Sequence, residues 1–367
     1  MSILTFTFQI LTICGCWPPN SWTSGYKRII YNVYTVCIVL LTSTFMLSQL
    51  MDIILNVNNT DDFAENFYVT LAMIVSCCKM FSLLRNRSNI AMLIDILIKK
   101  PCKPVELDEI EIRQKFDRLV QTNTLFYATL VELTCAFAIV TSLFKDYRKA
   151  RLPFRTWLPF NYSSPILFQI VYMHQSISLT IGSVLQIACD SLICGLLLHI
   201  CSQIEIIECH MRKIVNKSHF LRECVLQHIC ISKFALMVNE KFKFIITVQF
   251  IASMLVVCFN LHQLTRMNIN AKYIQIILYM CCMLTQISFY CWYGNEVKLK
   301  SQQLASNMFQ MEWLVLDHNV QKSLLIIMTR SIIPIEFTSA YVISMNLESF
   351  VGLLKTSYSA FNILKQI

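Results

Sequence analysis

Seven apolar segments dominate this 367-residue sequence and limit what the chain can fold into. They lie at 29–50, 67–84, 121–144, 166–198, 242–264, 273–293 and 335–361, and are named S1 to S6 and S7b in chain order. Each is close to the ~20 residues that a helix needs to cross the hydrocarbon core of a bilayer, or longer. With 56% apolar and only 14% charged residues, the chain cannot cover a water-soluble surface. The sequence therefore predicts an all-α membrane protein with seven transmembrane helices.

The distribution of Lys and Arg predicts the orientation of these helices. If the N-terminus is cytoplasmic, the inner segments carry 21 of the 31 basic residues and the outer segments carry nine, with Lys79 inside S2. Cytoplasmic segments near the ends of spans hold the positive excess. We therefore expect a cytoplasmic N-terminus and an extracellular C-terminus, although the outer loop at 145–165 holds five basic residues. Topology accounts for the net charge of +9, so nucleic acid is not an expected partner.

The sequence carries no motif for catalysis or for metal binding. It contains no G-x-S-x-G, no H-E-x-x-H, no phosphate-binding glycine loop and no C-x-x-C, and its seven histidines form no cluster with ligand spacing. Most of the 17 cysteines lie in apolar or inner segments, where Cys behaves as a small apolar residue. We therefore expect neither an enzyme nor a metal ion or other cofactor.

Ionisable residues inside the apolar segments indicate helix faces that avoid lipid. For Glu132 and Asp190 we expect an interhelical ion pair or hydrogen bond that fixes packing. In S7b a polar stripe recurs at helical spacing and consists of Glu348, Gly352, Lys355, Ser359, Asn362 and Gln366. Such a stripe either packs on polar neighbours or lines water. Because one chain supplies only one such helix, a pore requires an oligomer.

Three inner connectors, at 85–120, 199–241 and 296–330, mix charges with apolar residues at helical spacing. We expect them to form helical extensions of the spans and a separate helix before S7b. Apolar helices outside the membrane need a partner face, either within the subunit or between subunits.

The predicted helices divide the chain into four regions. These are a cytoplasmic or interfacial N-terminus at 1–28, a bundle of S1 to S6 with its extensions at 29–293, a cytoplasmic anchor segment (S7a) at 294–334, and the pore helix with an extracellular C-terminus at 335–367.

Six short motifs, spread over the whole chain, resemble those of insect odorant receptors. They are WPP at 17–19, LPF at 152–154, WLPF at 157–160, YCWYGNE at 290–296, MEW at 311–313 and LKTSYSAF at 354–361. The order and placement of these motifs carry the resemblance. The connector between S4 and S5 is too short for the co-receptor of the family, so the chain is similar to an odour-specific subunit.

The resemblance implies a subunit of a tetrameric, ligand-gated, non-selective cation channel. Such a subunit assembles with the olfactory co-receptor and lies, surrounded by lipid, in the plasma membrane of the dendrite of an olfactory sensory neuron. In S7b the resemblance places an apolar constriction of the pore at Ile363 and a polar position one turn outward at Gln366, with Ser359 and Asn362 beside them.

The resemblance also implies that a small volatile odorant binds in the outer half of the bundle, between S2, S3, S4 and S6. The side chains in that region are mostly apolar and aromatic, as such a ligand requires. The expected ligand-binding residues are Phe67, Thr70, Leu71, Ala136, Val140, Phe144, Met173, His174, Ile177, Tyr273, Ile277 and Met280.

Three alternatives remain at this point. A transporter would show internal repeats and Gly- or Pro-broken spans in both halves, and with six Gly the sequence offers no such pair. A chemoreceptor of the G-protein-coupled type would have its N-terminus outside and usually a disulfide in the loop before S4, but 145–165 contains no Cys. A gustatory receptor of the same superfamily has a Gln six residues after the Tyr of its final helix. Here Gln366 follows Tyr358 by eight residues.

Overall fold

A computed structural model of the chain describes residues 4–19, 21, 25–56, 60–145, 147, 151–214, 220–310, 316–339 and 343–366. Within these residues the fold consists of ten α-helices and one pair of two-residue strands. The helices are α1 (Thr5–Ile13), α2 (Gly25–Asn56), α3 (Thr60–Arg85), α4 (Arg87–Ile98), α5 (Leu107–Lys145), α6 (Pro165–Ile214), α7 (Phe220–Arg266), α8 (Ala271–Phe309), α9 (His318–Ser331) and α10 (Leu347–Gln366). The strands β1 (Thr338–Ser339) and β2 (Ile343–Ser344) pair antiparallel, with Thr338 opposite Ser344.

Six helices in the described part of the chain are long and apolar enough to cross a membrane, and they contain the predicted S1 to S6. These helices are α2, α3, α5, α6, α7 and α8. The α6 helix is central because it packs against all five others. In its most apolar stretch 89% of the residues are buried inside the chain. Its neighbours therefore shield this stretch of α6 from lipid, so that polar side chains can be placed on it.

Several helices continue well beyond the predicted membrane segments. The continuations cover 107–120 of α5, 199–214 of α6, 220–241 of α7 and 294–309 of α8. At ~1.5 Å per residue a 50-residue helix such as α6 is about 75 Å long, more than twice the ~30 Å of a hydrocarbon core. The predicted helical extensions are therefore confirmed.

Charged side chains fasten the extensions of α5 and α6 to each other. The Lys213 ammonium donates to Glu106 at 2.5 Å and to Asp108 at 2.8 Å. The bond from Lys213 holds the pKa of the Asp108 carboxyl below its usual range. His210 of α6 and Glu109 of α5, both buried, lie 2.5 Å apart. These contacts keep the two long helices side by side beyond the predicted membrane segments.

The last helix begins later than the sequence predicts. S7b was expected from residue 335, whereas 335–346 contains the strand pair and α10 begins at Leu347. The local reason is Asn346, whose side-chain oxygen accepts from the backbone N–H of Ser349 at 2.8 Å and caps the first turn. From there α10 has 20 residues, or about 30 Å, which is still enough to cross a hydrocarbon core.

A buried carboxylate holds the middle of the bundle together. Asp190 of α6 pairs with Lys79 of α3, with Nζ 2.6 Å from Oδ1 and both side chains almost fully buried. Its two oxygens also accept from Tyr290 at 2.5 Å and Tyr127 at 3.3 Å, and from the amide of Gln286. A carboxylate has about four acceptor sites, so these four donors use all of them. The interhelical bonds expected for Asp190 are present, and Glu132 likewise accepts from Ser183 of α6 at 2.8 Å.

Replacing Lys79 by Met should destabilise the receptor strongly, because the buried Asp190 carboxyl would lose its cationic partner. Breaking a buried ion pair from one side typically costs ~3–5 kcal/mol. Lys115→Met is the matched control, because Lys115 pairs with Glu205 at 3.4 Å but its side chain is 70% exposed, and such pairs contribute only ~0–1 kcal/mol. Thermal unfolding of the purified receptor in detergent compares the two variants. Equal melting temperatures would contradict the assigned role of the pair, and adding Asp190→Asn to Lys79→Met should recover part of the loss.

Candidate functional site

A space of about 90 Å³ lies between α3, α5, α6 and α8. Each helix contributes one face, and Phe154 of the loop before α6 completes the wall. The lining residues are Tyr68, Val69, Ala72, Met73 and Ser76 of α3, Tyr127, Val131, Thr134, Cys135 and Ala138 of α5, Leu179, Gly182, Ser183 and Gln186 of α6, and Gln275, Tyr279, Cys282 and Met283 of α8. Aromatic rings, thioethers and small side chains predominate, which suits a small and mostly apolar ligand. We refer to this space as the central cavity.

Several polar atoms around the central cavity are hydrogen-bonded between helices. The Gln186 amide of α6 donates to Ser76 of α3 at 2.9 Å and to the carbonyl of Ala72 at 3.0 Å. On the opposite side Gln275 of α8 donates to the hydroxyl of Tyr68 at 3.2 Å. These bonds fix the spacing of the helices that enclose the cavity. Among the described residues no group of three or more His, Cys, Asp or Glu side chains is placed to bind a metal ion.

The α10 helix has one packed face and one exposed polar face. Leu353, Ser357 and Phe361 are buried on the packed face, and the Ser357 hydroxyl donates to the carbonyl of Met254 in α7 at 3.3 Å. The polar stripe lies on the exposed face, where its described members are Glu348, Gly352, Lys355, Ser359 and Asn362. Ile363 lies beside them and is 62% exposed. The side chain of Gln366 is outside the described residues.

The sequence also matches a known family of membrane receptors. The family described as 7tm Odorant receptor matches residues 59–358. The chain belongs to the odorant receptor family. Odorant receptor Or1 of Anopheles gambiae is 22% identical to it over 99% of this chain and 95% of its own length. Odorant receptor 94a of Drosophila melanogaster is 21% identical over 98% of this chain and 96% of its own length.

A solved structure shares the fold of this odorant receptor. The olfactory receptor OR5 of Machilis hrabei, in complex with eugenol, aligns with a TM-score of 0.87 and 17% sequence identity. The alignment covers 99% of this chain and 97% of that one. The predicted family and the predicted seven-helix, all-α membrane fold are therefore confirmed. The relatives are receptors rather than enzymes.

The residues that line the central cavity differ from those expected to bind an odorant. None of the twelve expected residues lines it. Five of them are exposed on the surface of the chain, namely Ala136, Val140, Phe144, Met173 and Ile177. Four more are partly buried but lie outside the lining, namely Leu71, Tyr273, Ile277 and Met280. Their assignment to a ligand site stays a prediction.

The other three expected residues make contacts elsewhere in the bundle. Phe67 packs on Phe259 of α7, with ring centroids 4.6 Å apart, and the buried hydroxyl of Thr70 donates to the carbonyl of Asn66 within α3. His174 lies 3.0 Å from the hydroxyl of Thr44. It borders a second, more open space of about 460 Å³ between α2, α6 and the loop segment at 156–160.

The sequence predicts that S2, S3, S4 and S6 enclose the ligand, and the corresponding helices α3, α5, α6 and α8 do enclose the central cavity. The faces that line the cavity are not the predicted ones. In a helix with ~3.6 residues per turn, an error of one residue turns a side chain by about 100°. Thus Ala136 faces outward whereas Cys135 and Ala138 line the cavity. Lipid and cavity both select apolar side chains, so composition does not separate them. The sequence signal that could have identified the cavity-facing sides of these helices is the position of scattered polar residues such as Thr134 and Gln186, which avoid lipid.

Proposed function

We propose that this odorant receptor is the odour-specific subunit of a ligand-gated, non-selective cation channel. The observation that carries the proposal is the outward polar face of α10, which includes the charged residues Glu348 and Lys355. A charged side chain that faces lipid costs ~2.5–3.5 kcal/mol or more. Within the described residues the opposite face of α10 packs on α7, so the polar face needs water or other subunits. Several such helices around one axis would supply both.

The central cavity supports a small, mostly apolar ligand for this channel. An engineered cavity of ~150 Å³ binds benzene, so a space of about 90 Å³ must widen by side-chain movement to admit a volatile ligand. Met73 and Met283 line the cavity and supply that adaptability, because Met side chains repack easily. The relative of Machilis hrabei was solved with eugenol, and we infer a ligand of similar size and polarity here.

Exposed apolar side chains at the end of α8, within α9 and just after α9 support assembly with other subunits. Phe309 is 70% exposed, Ile326 is 65% exposed and Ile333, just after α9, is 79% exposed. Exposed apolar surface of this kind typically indicates a protein interface. We infer that it contacts the olfactory co-receptor in a heterotetramer. The excess of basic residues supports a cytoplasmic N-terminus and an extracellular C-terminus. From membership of the odorant receptor family we infer a location in the plasma membrane of the dendrite of an olfactory neuron.

Expressed alone, the chain should give little odorant-evoked current, and with the co-receptor it should give a robust cation current. The reason is that a single chain supplies one pore helix and leaves its apolar interface uncovered. Whole-cell recording during application of a panel of volatiles that includes eugenol measures this. A robust current from the chain alone, or a response abolished when G-protein signalling is blocked, would contradict the proposal.

The central cavity predicts that Ala138→Leu changes the ranking of odorants. The added carbon atoms would enter the cavity, where each methylene is worth ~1–3 kcal/mol of discrimination. Ala136→Leu is the matched control, because Ala136 lies on the same helix but faces outward. Concentration–response curves for a set of odorants compare the two variants. A changed ranking in Ala136→Leu alone would instead place the ligand among the residues expected from the sequence.

The exposed end of α10 predicts that Ile363→Ser raises the current in the absence of odorant. An apolar ring can close a narrow pore by excluding water, and a hydroxyl would wet it. Gln366→Glu and Gln366→Arg should change cation conductance in opposite directions. All these effects should be diluted by the co-receptor helices in the same pore. Single-channel recording tests them, with Val351→Ser, an exposed apolar position at the other end of α10, as the control. Unchanged resting current and conductance would remove both residues from the pore.

A further inference from the structure

The Tyr127 side chain takes part both in the lining of the central cavity and in the hydrogen bonds around Asp190. Its ring lines the central cavity, while its hydroxyl donates to the Asp190 carboxylate at 3.3 Å. A molecule in the cavity that displaces this ring therefore also moves a hydrogen-bond donor of a buried charge. Asp190 is 4% exposed and Tyr127 is 3% exposed, so water does not readily replace the lost bond.

The polar contacts continue from Asp190 to the neighbouring helix α7. The Gln286 amide of α8 donates to Asp190, and its carbonyl oxygen accepts from Gln249 of α7 at 2.7 Å. Gln249 also donates to Ser253 at 3.1 Å. Both glutamines are 1% exposed. A shift of the carboxylate is thus transmitted through two side-chain amides to α7.

The same stretch of α7 holds α10. Met254, next to Ser253, accepts from the Ser357 hydroxyl at 3.3 Å, and Ser357 is fully buried between the helices. The polar chain that begins at the cavity wall therefore ends on the packed face of α10, opposite its polar stripe. Neither Glu348 nor Lys355, the charged residues of α10 whose side chains the structure describes, takes part in it.

Within the described residues one acceptor in this series of hydrogen bonds is unsatisfied, which favours the existence of a second arrangement. The carbonyl oxygen of Gln249 is buried and has no hydrogen-bond partner among the described residues. A buried acceptor without a donor is costly, so an arrangement that supplies one gains free energy. Two arrangements of similar free energy are what a ligand needs in order to shift an equilibrium.

We propose that Tyr127, Asp190, Gln286 and Gln249 form a polar relay that couples ligand in the central cavity to the position of α10. Tyr127 contacts the ligand, and the other three act as positioning residues. The proposal rests on the proposed function and adds how the site is connected to the pore. Its distinguishing consequence is that the relay affects every agonist alike, whereas cavity contacts affect each agonist differently.

Two conservative substitutions and a matched control test the relay. Tyr127→Phe keeps the ring in the cavity and removes only the hydroxyl. Gln249→Met removes the amide of a residue that does not line the cavity and also removes its unpartnered oxygen, so it should fold. Tyr172→Phe is the control, because the Tyr172 hydroxyl is buried without a hydrogen-bond partner among the described residues and the residue lies outside the cavity lining.

The measurement is the half-maximal concentration of three agonists of different shape, taken from those that activate the wild type with the co-receptor. Both relay variants should raise it by a common factor of about five or more for all three agonists, the low end of measured couplings between sites. Because the relay is serial, the double variant should show no more than the larger single effect. Tyr172→Phe should leave all three values unchanged. Surface labelling confirms that each variant reaches the membrane.

The outcomes separate the relay from the proposed function. If the wild type with the co-receptor responds to no volatile, the proposed function fails and the relay fails with it. If the wild type responds but Gln249→Met leaves all three concentrations unchanged, the relay is wrong and the proposed function stands. If Tyr127→Phe raises the half-maximal concentration by different factors for different agonists, Tyr127 is a cavity contact and not a member of the relay. If Tyr127→Phe does not reach the surface, Gln249→Met decides alone.

Discussion

The arrangement of the bundle depends on one buried charge, the Asp190 carboxylate. Removing a carboxylate from water costs several kcal/mol, and the cost is recovered only when well-placed donors surround it. Here the donors come from three different helices around α6: Lys79 from α3, Tyr127 from α5, and Gln286 and Tyr290 from α8. A rotation or shift of any of these helices would leave a charge or a donor unsatisfied. The position of the central cavity, enclosed by the same four helices, is set by this requirement.

Continuous helices connect this centre to both ends of the subunit. The α6 helix carries Asp190 and continues without a break to Lys213, which binds Glu106 and Asp108 near the start of α5. A long helix moves as a unit because each turn is hydrogen-bonded to the next. A small rearrangement near the cavity is therefore transmitted to the helical extensions, where apolar side chains such as Phe309 are exposed. In the proposed channel, α6 would therefore connect ligand binding to subunit assembly mechanically, without a hinge.

The sequence predicted the helices well and the faces of the helices poorly. Long apolar runs identify S1 to S6, and charged residues within them identify interior positions, so Lys79 and Asp190 were both expected to avoid lipid. Their pairing spans 111 residues of sequence and depends on helix rotation, which hydropathy does not encode. The same missing rotation explains why Ala136 was expected at the ligand site while Ala138 lines the cavity. The late start of α10 had a readable signal, Asn346 three residues before Ser349, which the apolar run around it obscured.

The polarity of α10 explains why only six helices of the described chain qualify as membrane spans by length and composition, in a fold with seven. A helix with two charged residues and a row of small polar ones on one face is too polar to be stable alone in lipid. Among its described residues, the opposite face buries Leu353, Ser357 and Phe361 against the rest of the chain. The helix is therefore incomplete within one subunit. The polar stripe lowers the hydropathy of α10 and makes the helix unsuited to an isolated span. The same side chains allow α10 to face water, as the wall of the proposed pore between subunits requires.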